Sequence, residues 1–306
     1  MNTEEIARFD AAANCLPLRL KRLALQLTAE EKQAAEELRL RAERPLTVLA
    51  GGVEYPLGAG AECIVHQEDL ETVCNVVTGF SRYTALETLK RGYLTAEGGF
   101  RVGVTGFAVR QNGATVSLRD FSSMAIRIAR ERIGLAADLT RELRQEGRFL
   151  GTVIAAAPGA GKTTLLRDMI RCLSYGCSEF PPLRVGLVDE RGEIAAMHRG
   201  VPQLDVGPHT DVLDACPKAE GIELLLRAMN PQVIAVDEIT AAEDIEAMTR
   251  AANCGVTMLA TIHAADRSDL LAKPLFRRLK RTGVFRRVVS IRCDGGERRY
   301  VMEELV

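Results

Sequence analysis

The residues best suited to chemistry are Gly159, Gly161, Lys162 and Thr163, in the stretch Ala156-Ala157-Pro158-Gly159-Ala160-Gly161-Lys162-Thr163. Two glycines let the backbone turn its N–H groups inward around phosphate oxygens, and a helix opening just after them presents its positive end to the same charge. A lysine at that point reaches the β- and γ-phosphates of a nucleotide, and the hydroxyl that follows can hold Mg²⁺. Pro158, Gly159, Ala160, Gly161, Lys162, Thr163 and Thr164 are thus the expected nucleotide-binding set. The spacing departs from the usual G-x-x-x-x-G-K-[ST] form once, because Ala156 stands where the first glycine belongs.

Three further strand ends carry polar groups. Val233-Ile234-Ala235-Val236-Asp237-Glu238 is an apolar run closing on two carboxylates, the form of a Walker B segment. Phosphoryl transfer needs a carboxylate near the metal and a second group to orient water, so Asp237 is expected to serve Mg²⁺ and Glu238 the attacking water. Asp189-Glu190-Arg191 offers a second acidic pair: its carboxylates share the metal and water work, with Glu190 a rival base to Glu238, or the tripeptide is a turn with surface ion pairs. His263 either senses the γ-phosphate from a neighbouring strand end, or is a capping or core histidine.

These groups need a scaffold that delivers them to one place. Leu150 to Ala155, Leu183 to Val188, Val233 to Val236 and Val256 to Thr261 are apolar runs alternating with helix-like segments, the pattern of a mostly parallel sheet covered by helices. In such a sheet ligands bind outside the carboxyl ends of the strands, where all four runs end. Residues 1–132 read instead as a smaller α+β domain, with strands near Leu38 to Ala42, Leu46 to Ala50, Val53 to Leu57, Phe100 to Val104 and Met124 to Ile128. Helices are expected over Asp69 to Thr78 and Thr84 to Arg91. Residues 133–306 form the α/β domain.

Composition narrows the class. Forty lysines and arginines against 41 aspartates and glutamates leave no global field to recruit nucleic acid. Locally, ten basic residues between Lys273 and Arg299 face only Asp294 and Glu297, which marks either a solvated helix and hairpin or a face for an anionic partner or acidic neighbouring subunit. The eight cysteines form no C-x-x-C pair and are expected to be reduced core thiols of a cytoplasmic protein. The start, Met1-Asn2-Thr3-Glu4-Glu5, is too acidic for a signal peptide, and no run is long and apolar enough to span a bilayer, so the expectation is a soluble protein with at most a peripheral membrane role.

The glycine loop, Asp189-Glu190, Asp237-Glu238 and Thr261-Ile262-His263-Ala264 follow one another in the order of the type II and type IV secretion ATPases, and the chain resembles that superfamily of P-loop, RecA-like fold. Through Arg39 to Pro45, Thr95 to Gly106, Pro158 to Asp168, Val188 to Ala195 and Pro231 to Ile239 it is similar to the stage III sporulation AA proteins of endospore-forming bacteria. The resemblance implies an ATPase using ATP and Mg²⁺, assembled with itself as a homohexamer. It would lie in the cytoplasm at the mother-cell face of the membrane and energise a sporulation channel through membrane-embedded partners. It also implies that Arg101 and Arg127, with Arg130 a further candidate, reach over the phosphates from the N-terminal domain, whereas the alternation through Met124 to Arg130 by itself reads equally as a strand with solvent-facing arginines. Secretion ATPases have glycine where this chain has Asp237, so the metal role of Asp237 rests on the residue and not on the resemblance. Two other functions fit the same motifs: a nucleotide-driven nucleic-acid translocase, for which interleaved aromatics are lacking, and a nucleotide-switched scaffold with little turnover.

Overall fold

The computed structural model describes residues 3–79, 86–128, 131–294 and 297–305, with the backbone alone at 87, 293, 294 and 297. Arg130 and the first two residues of the expected helix 84–91 lie outside the described residues. The chain divides into two units, Met1–Arg130 with Ala196–Gln203, and Glu131–Ala195 with Leu204–Val306. A single cut after residue 132 leaves out the excursion Ala196–Gln203, which the sequence marks only by Gly200 and Pro202.

The first unit runs α1 Thr3–Ala13, α2 Leu18–Leu25, α3 Ala29–Ala34, β1 Ala35–Arg41, β2 Arg44–Pro45, β3 Thr47–Ala50, β4 Val53–Pro56, β5 Ile64–Val65, α4 Gln67–Thr78, α5 Leu86–Lys90, β6 Tyr93–Thr95, β7 Arg101–Gln111 and β8 Ala114–Arg127. Among the described residues, six strands form one antiparallel sheet in the order β4-β3-β1-β8-β7-β6. Period-2 alternation builds its buried face: Leu38 and Leu40 of β1, Val102 and Val104 of β7, and Met124 and Ile126 of β8 all join one core. Helix α4 closes that core with Leu70, Val73, Cys74 and Val77, spaced three and four apart so that they share one helix face. The helix stops at Gly79, whose left-handed backbone (φ 59°) only glycine adopts without strain. The excursion belongs here because His198 Nδ1 lies 3.2 Å from the Thr95 carbonyl and the Gly98 N–H donates to Gln203 Oε1 at 2.7 Å.

The second unit runs α6 Ala137–Glu142, β9 Arg144–Gln145, β10 Arg148–Phe149, β11 Thr152–Ala156, α7 Lys162–Tyr175, β12 Val185–Asp189, β13 Thr210–Asp214, α8 Lys218–Ala228, β14 Val233–Glu238, α9 Ala242–Asn253, β15 Thr257–His263, α10 Arg267–Ala272, α11 Pro274–Thr282, β16 Arg287–Asp294 and β17 Glu297–Glu304. Its described residues form a sheet in the order β13-β12-β14-β15-β11-β16-β17, parallel except for the last pair. Every residue of β11 and β12 is buried, as a strand covered on both faces requires. Val153, Val188, Ile234, Val236, Met258 and Ala260 pack with α8, α9 and α11 on one face. The alternate residues Ile154, Leu187, Ala235 and Leu259 are buried on the other. There α7 lies along β11, β12, β14 and β15. The architecture is the expected α/β fold, a mostly parallel sheet with helices on both faces.

The cysteines correct one expectation. Cys15, Cys63 and Cys74 are buried in the first unit, but Cys177 and Cys254 are exposed because each lies just past a helix end.

Candidate functional site

Strand β11 ends at Ala156 and α7 begins at Lys162, so the intervening loop turns at the carboxyl edge of the sheet. Gly159 (φ 74°) and Gly161 (φ 101°) take backbone conformations that other residues avoid. The helix takes hold where the Leu165 N–H donates to the Gly161 carbonyl at 3.0 Å. The amides of its first turn lack intrahelical acceptors and open onto the loop. Pro158 and Gly159 are exposed there, with Ala160, Thr163 and Thr164 half-buried. Ala156 explains its own departure from the glycine pattern: it is still a strand residue, paired with His263, and its backbone needs no positive φ.

Lys162 folds back into this edge. Its side chain is buried, and Nζ donates to the carbonyls of Ala156 and Ala157, each at 2.9 Å, and to His263 Nδ1 at 2.7 Å. Burial pulls the Lys162 ammonium below its ordinary range, while the Glu238 and Asp237 carboxylates oppose that shift. A lysine ammonium has donors only, so His263 Nδ1 must accept and Nε2 carries the ring proton. Nε2 lies 3.1 Å from Glu238 Oε2, which gives a continuous chain from Lys162 through His263 to Glu238. Arg191 Nη1 stands 3.8 Å from the same Glu238 oxygen. His263 is half-exposed at the end of β15, so it is not a core residue.

The register between β14 and β15 sets this arrangement. Val236 pairs with Ala260 but Glu238 pairs with Thr261, so Asp237 is the extra residue of a bulge. Asp237 Oδ1 accepts from the Thr261 hydroxyl at 3.1 Å, and burial raises its carboxyl above the ordinary aspartate range.

The two carboxylates at the end of β12 do different work. Asp189 is fully buried, and its oxygens accept the N–H groups of Glu193 at 3.0 Å, Ile194 at 3.0 Å and Ala195 at 2.9 Å. Burial lifts its carboxyl to about 6 in spite of those bonds. Both Asp189 oxygens thus shape the loop that follows β12. Glu190 pairs with the buried Lys218 at the start of α8, a partner the sequence did not signal, because nothing in the helix opening Pro217-Lys218 points to a carboxylate. Among the described residues no group of three or more His, Cys, Asp or Glu could hold a metal ion.

Arg101 and Arg127 belong to the first unit, where β7 and β8 set them directly opposite each other. The Arg101 guanidinium lies over the Tyr93 ring at 3.8 Å, and Arg127 Nε is 3.2 Å from Glu37 Oε1 with its side chain exposed. The alternation of buried Met124, Ile126 and Ile128 with exposed Arg127 follows the strand reading.

A family model for sporulation stage III, protein AA matches residues 7–301. The chain belongs to that family. The family likeness extends to the stage III sporulation protein AA of Bacillus subtilis (strain 168), which is 39% identical over 279 residues, covering 91% of this chain and 89% of that protein. Two solved structures share the fold. The ATPase DotB of Legionella pneumophila superposes with a TM-score of 0.56 at 17% identity, covering 88% of this chain and 76% of DotB. The pilus retraction motor PilT with bound ADP superposes with a TM-score of 0.59 at 18% identity, covering 90% of this chain and 82% of PilT. The family's α/β unit thus has the P-loop-type fold of secretion ATPases.

Proposed function

We propose that the protein binds and hydrolyses ATP as a secretion-type motor, and that it energises assembly of, or transport through, a sporulation channel between mother cell and forespore. The observation that carries the reading is the contact chain Lys162–His263–Glu238 at the carboxyl edge of three adjacent strands, beside a glycine loop at a helix start. The sporulation part follows the family, and the motor part follows DotB and PilT, an ATPase and a motor of the same fold.

The backbone of residues 158–164 with Lys162 would hold the phosphates, Thr163 would hold Mg²⁺, and Asp237 would reach that ion through its water shell. Bound ATP and Mg²⁺ would supply the reactive anhydride and the neutralising charge. Lys162 would exchange the Ala156 and Ala157 carbonyls and the imidazole for phosphate oxygens. His263, released at Nδ1, is then free to report that exchange to Glu238. Glu238 would orient water and take its proton, with Glu190 the second carboxylate of the site. Arg101 and Arg127 are assigned to the phosphates of a site completed in a homohexameric ring. Membrane-embedded channel proteins are the proposed partners, and among the described residues no helix is long and apolar enough to cross a membrane. The proposed location is therefore cytoplasmic, peripheral at the mother-cell side.

The test is ATP turnover by purified protein over a range of protein concentrations, beside Lys162→Ala. Turnover that climbs as the protein assembles, and is lost in Lys162→Ala, is the expected result. Turnover that never exceeds that of Lys162→Ala at any concentration would overturn the motor reading.

A further inference from the structure

We infer that Arg298, on the C-terminal hairpin, is a nucleotide-phosphate ligand supplied by the same subunit that carries the loop. The inference rests on the nucleotide-binding reading above and adds a residue to that site which none of the motifs contains.

Strand β16 pairs with β11 from Arg287 opposite Thr152 to Ser290 opposite Ala155, and then runs on to Asp294. Strand β17 returns beside it with Arg298 opposite Cys293. Cys293 is three residues beyond Ser290, so at about 3.3 Å per residue the hairpin carries Arg298 roughly 10 Å past the last β11 pair. At that level β11 has already given way to the glycine loop. A Cβ built on Gly161 would stand 3.4 Å from Arg298 Cζ and 3.5 Å from its Nε, so the guanidinium lies directly over the loop's second glycine. Glycine is favoured at 161 by its positive φ, and the guanidinium rests at ordinary contact distance from it.

Three other basic residues of the segment are paired, Lys273 with Asp269, Arg278 with Glu246 and Arg287 with Glu304. Among the described residues Arg298 has no hydrogen-bond or ion-pair partner. Side chains alternate along β17, so Arg299 points to the face opposite Arg298. A planar fork of five donors set over a turn whose amides face the same space suits a phosphate group. Part of the basic character between Lys273 and Arg299 then serves the site itself.

The experiment is equilibrium titration of the full chain with fluorescent ADP and ATP derivatives in Mg²⁺, for wild type, Lys162→Ala, Arg298→Ala, Arg298→Lys and Arg299→Ala. Arg298→Ala is expected to weaken binding about tenfold to a hundredfold, the worth of a charged hydrogen-bond pair. Arg298→Lys should recover part of that loss, and Arg299→Ala should bind within about twofold of wild type. Thermal melting should place both alanine variants near wild type, since both side chains are exposed. Binding by Arg298→Ala equal to wild type, with Lys162→Ala defective, would overturn the inference and leave the nucleotide site standing. An equal loss in Arg299→Ala would also overturn it, because the effect would then be net charge. If wild type binds no better than Lys162→Ala, the nucleotide reading itself fails and Arg298 falls with it.

Discussion

Asp189→Ala separates a loop-shaping carboxylate from a metal ligand. The Asp189 carboxyl stands at about 6 against an ordinary 3.8, because burial disfavours its charge more than three amides favour it. A group whose folded value is raised contributes stability that is full below the unfolded value and is lost as pH rises through the folded value. Removing the side chain leaves the buried amides of Ile194 and Ala195 unsatisfied, at about 1–3 kcal/mol each, so the variant is less stable throughout. The pH dependence isolates the carboxyl itself. With 3.8 and about 6 as the two values, its contribution is negligible at pH 7.5 and about 1.4 kcal/mol at pH 5. Urea unfolding followed by circular dichroism should therefore show the gap between wild type and variant widening as pH falls from 7.5 to 5. With a slope of about 2 kcal/mol per molar, the midpoints should separate by about 0.7 M more at the lower pH. A carboxylate held charged by donors or metal has a lowered value and does the reverse, losing its contribution as pH falls. A gap that stays constant or narrows on acidification would refute the reasoning.

Glu238→Gln keeps the shape of the His263 contact but removes the base, so nucleotide affinity should stay within a few-fold while turnover drops about 10²–10⁴-fold in a steady-state phosphate-release assay. Arg127→Ala should leave nucleotide binding by dilute protein unchanged and abolish the rise of turnover with protein concentration, read by the same assay beside light scattering. Gly221→Ala would set a Cβ 2.6 Å from Val188 Cγ1 and 3.0 Å from Cγ2, between α8 and β12, and overpacking of this kind should cost about 1–3 kcal/mol, seen as a lowered melting temperature. Asp237→Asn keeps an acceptor for Thr261 but drops a charge that burial penalises, so at pH 7.5 it should raise the melting temperature, by less as pH falls, while the Mg²⁺ concentration for half-maximal turnover increases.

The sheet was legible where burial on both faces left no choice of residue. Strands β11, β12, β14 and β15 read as continuous apolar runs because helices cover them on both sides. Strand β13 escaped notice because it is an edge strand, nowhere fully buried, whose only aliphatic pair is Val212 and Leu213. The hairpin near the C-terminus was visible in outline. Its insertion beside β11 was not, since alternation through Arg287, Val289, Ile291 and Cys293 looks the same for an isolated hairpin and for the flank of a larger sheet. Within the site, residue type separated the candidates from ordinary strand ends but could not separate Asp189 from Asp237. Both are aspartates closing an apolar run. What divides them is the backbone: residues 193–195 curl back onto Asp189, whereas Asp237 stands on a bulge with a single hydroxyl partner.

That bulge determines how the site is assembled. Adjacent residues of a regular strand point to opposite faces, so without an interruption Asp237 would face Thr261 in register and Glu238 would come level with Ile262, one step further along β15. Two residues of β14 against one of β15 bring Glu238 level with Thr261 instead, and from there its carboxylate reaches the ring of His263. His263 is in turn level with Ala156, the last residue of β11, and this places its other nitrogen within reach of Lys162 across the strand end. The chain Lys162–His263–Glu238 therefore depends on two registers, β11 with β15 and β15 with β14, and on neither loop alone. A one-residue slip in either register would leave every motif intact in the sequence and break the contact between them. The glycine loop supplies amides and a lysine, but its coupling to a carboxylate is a property of the sheet.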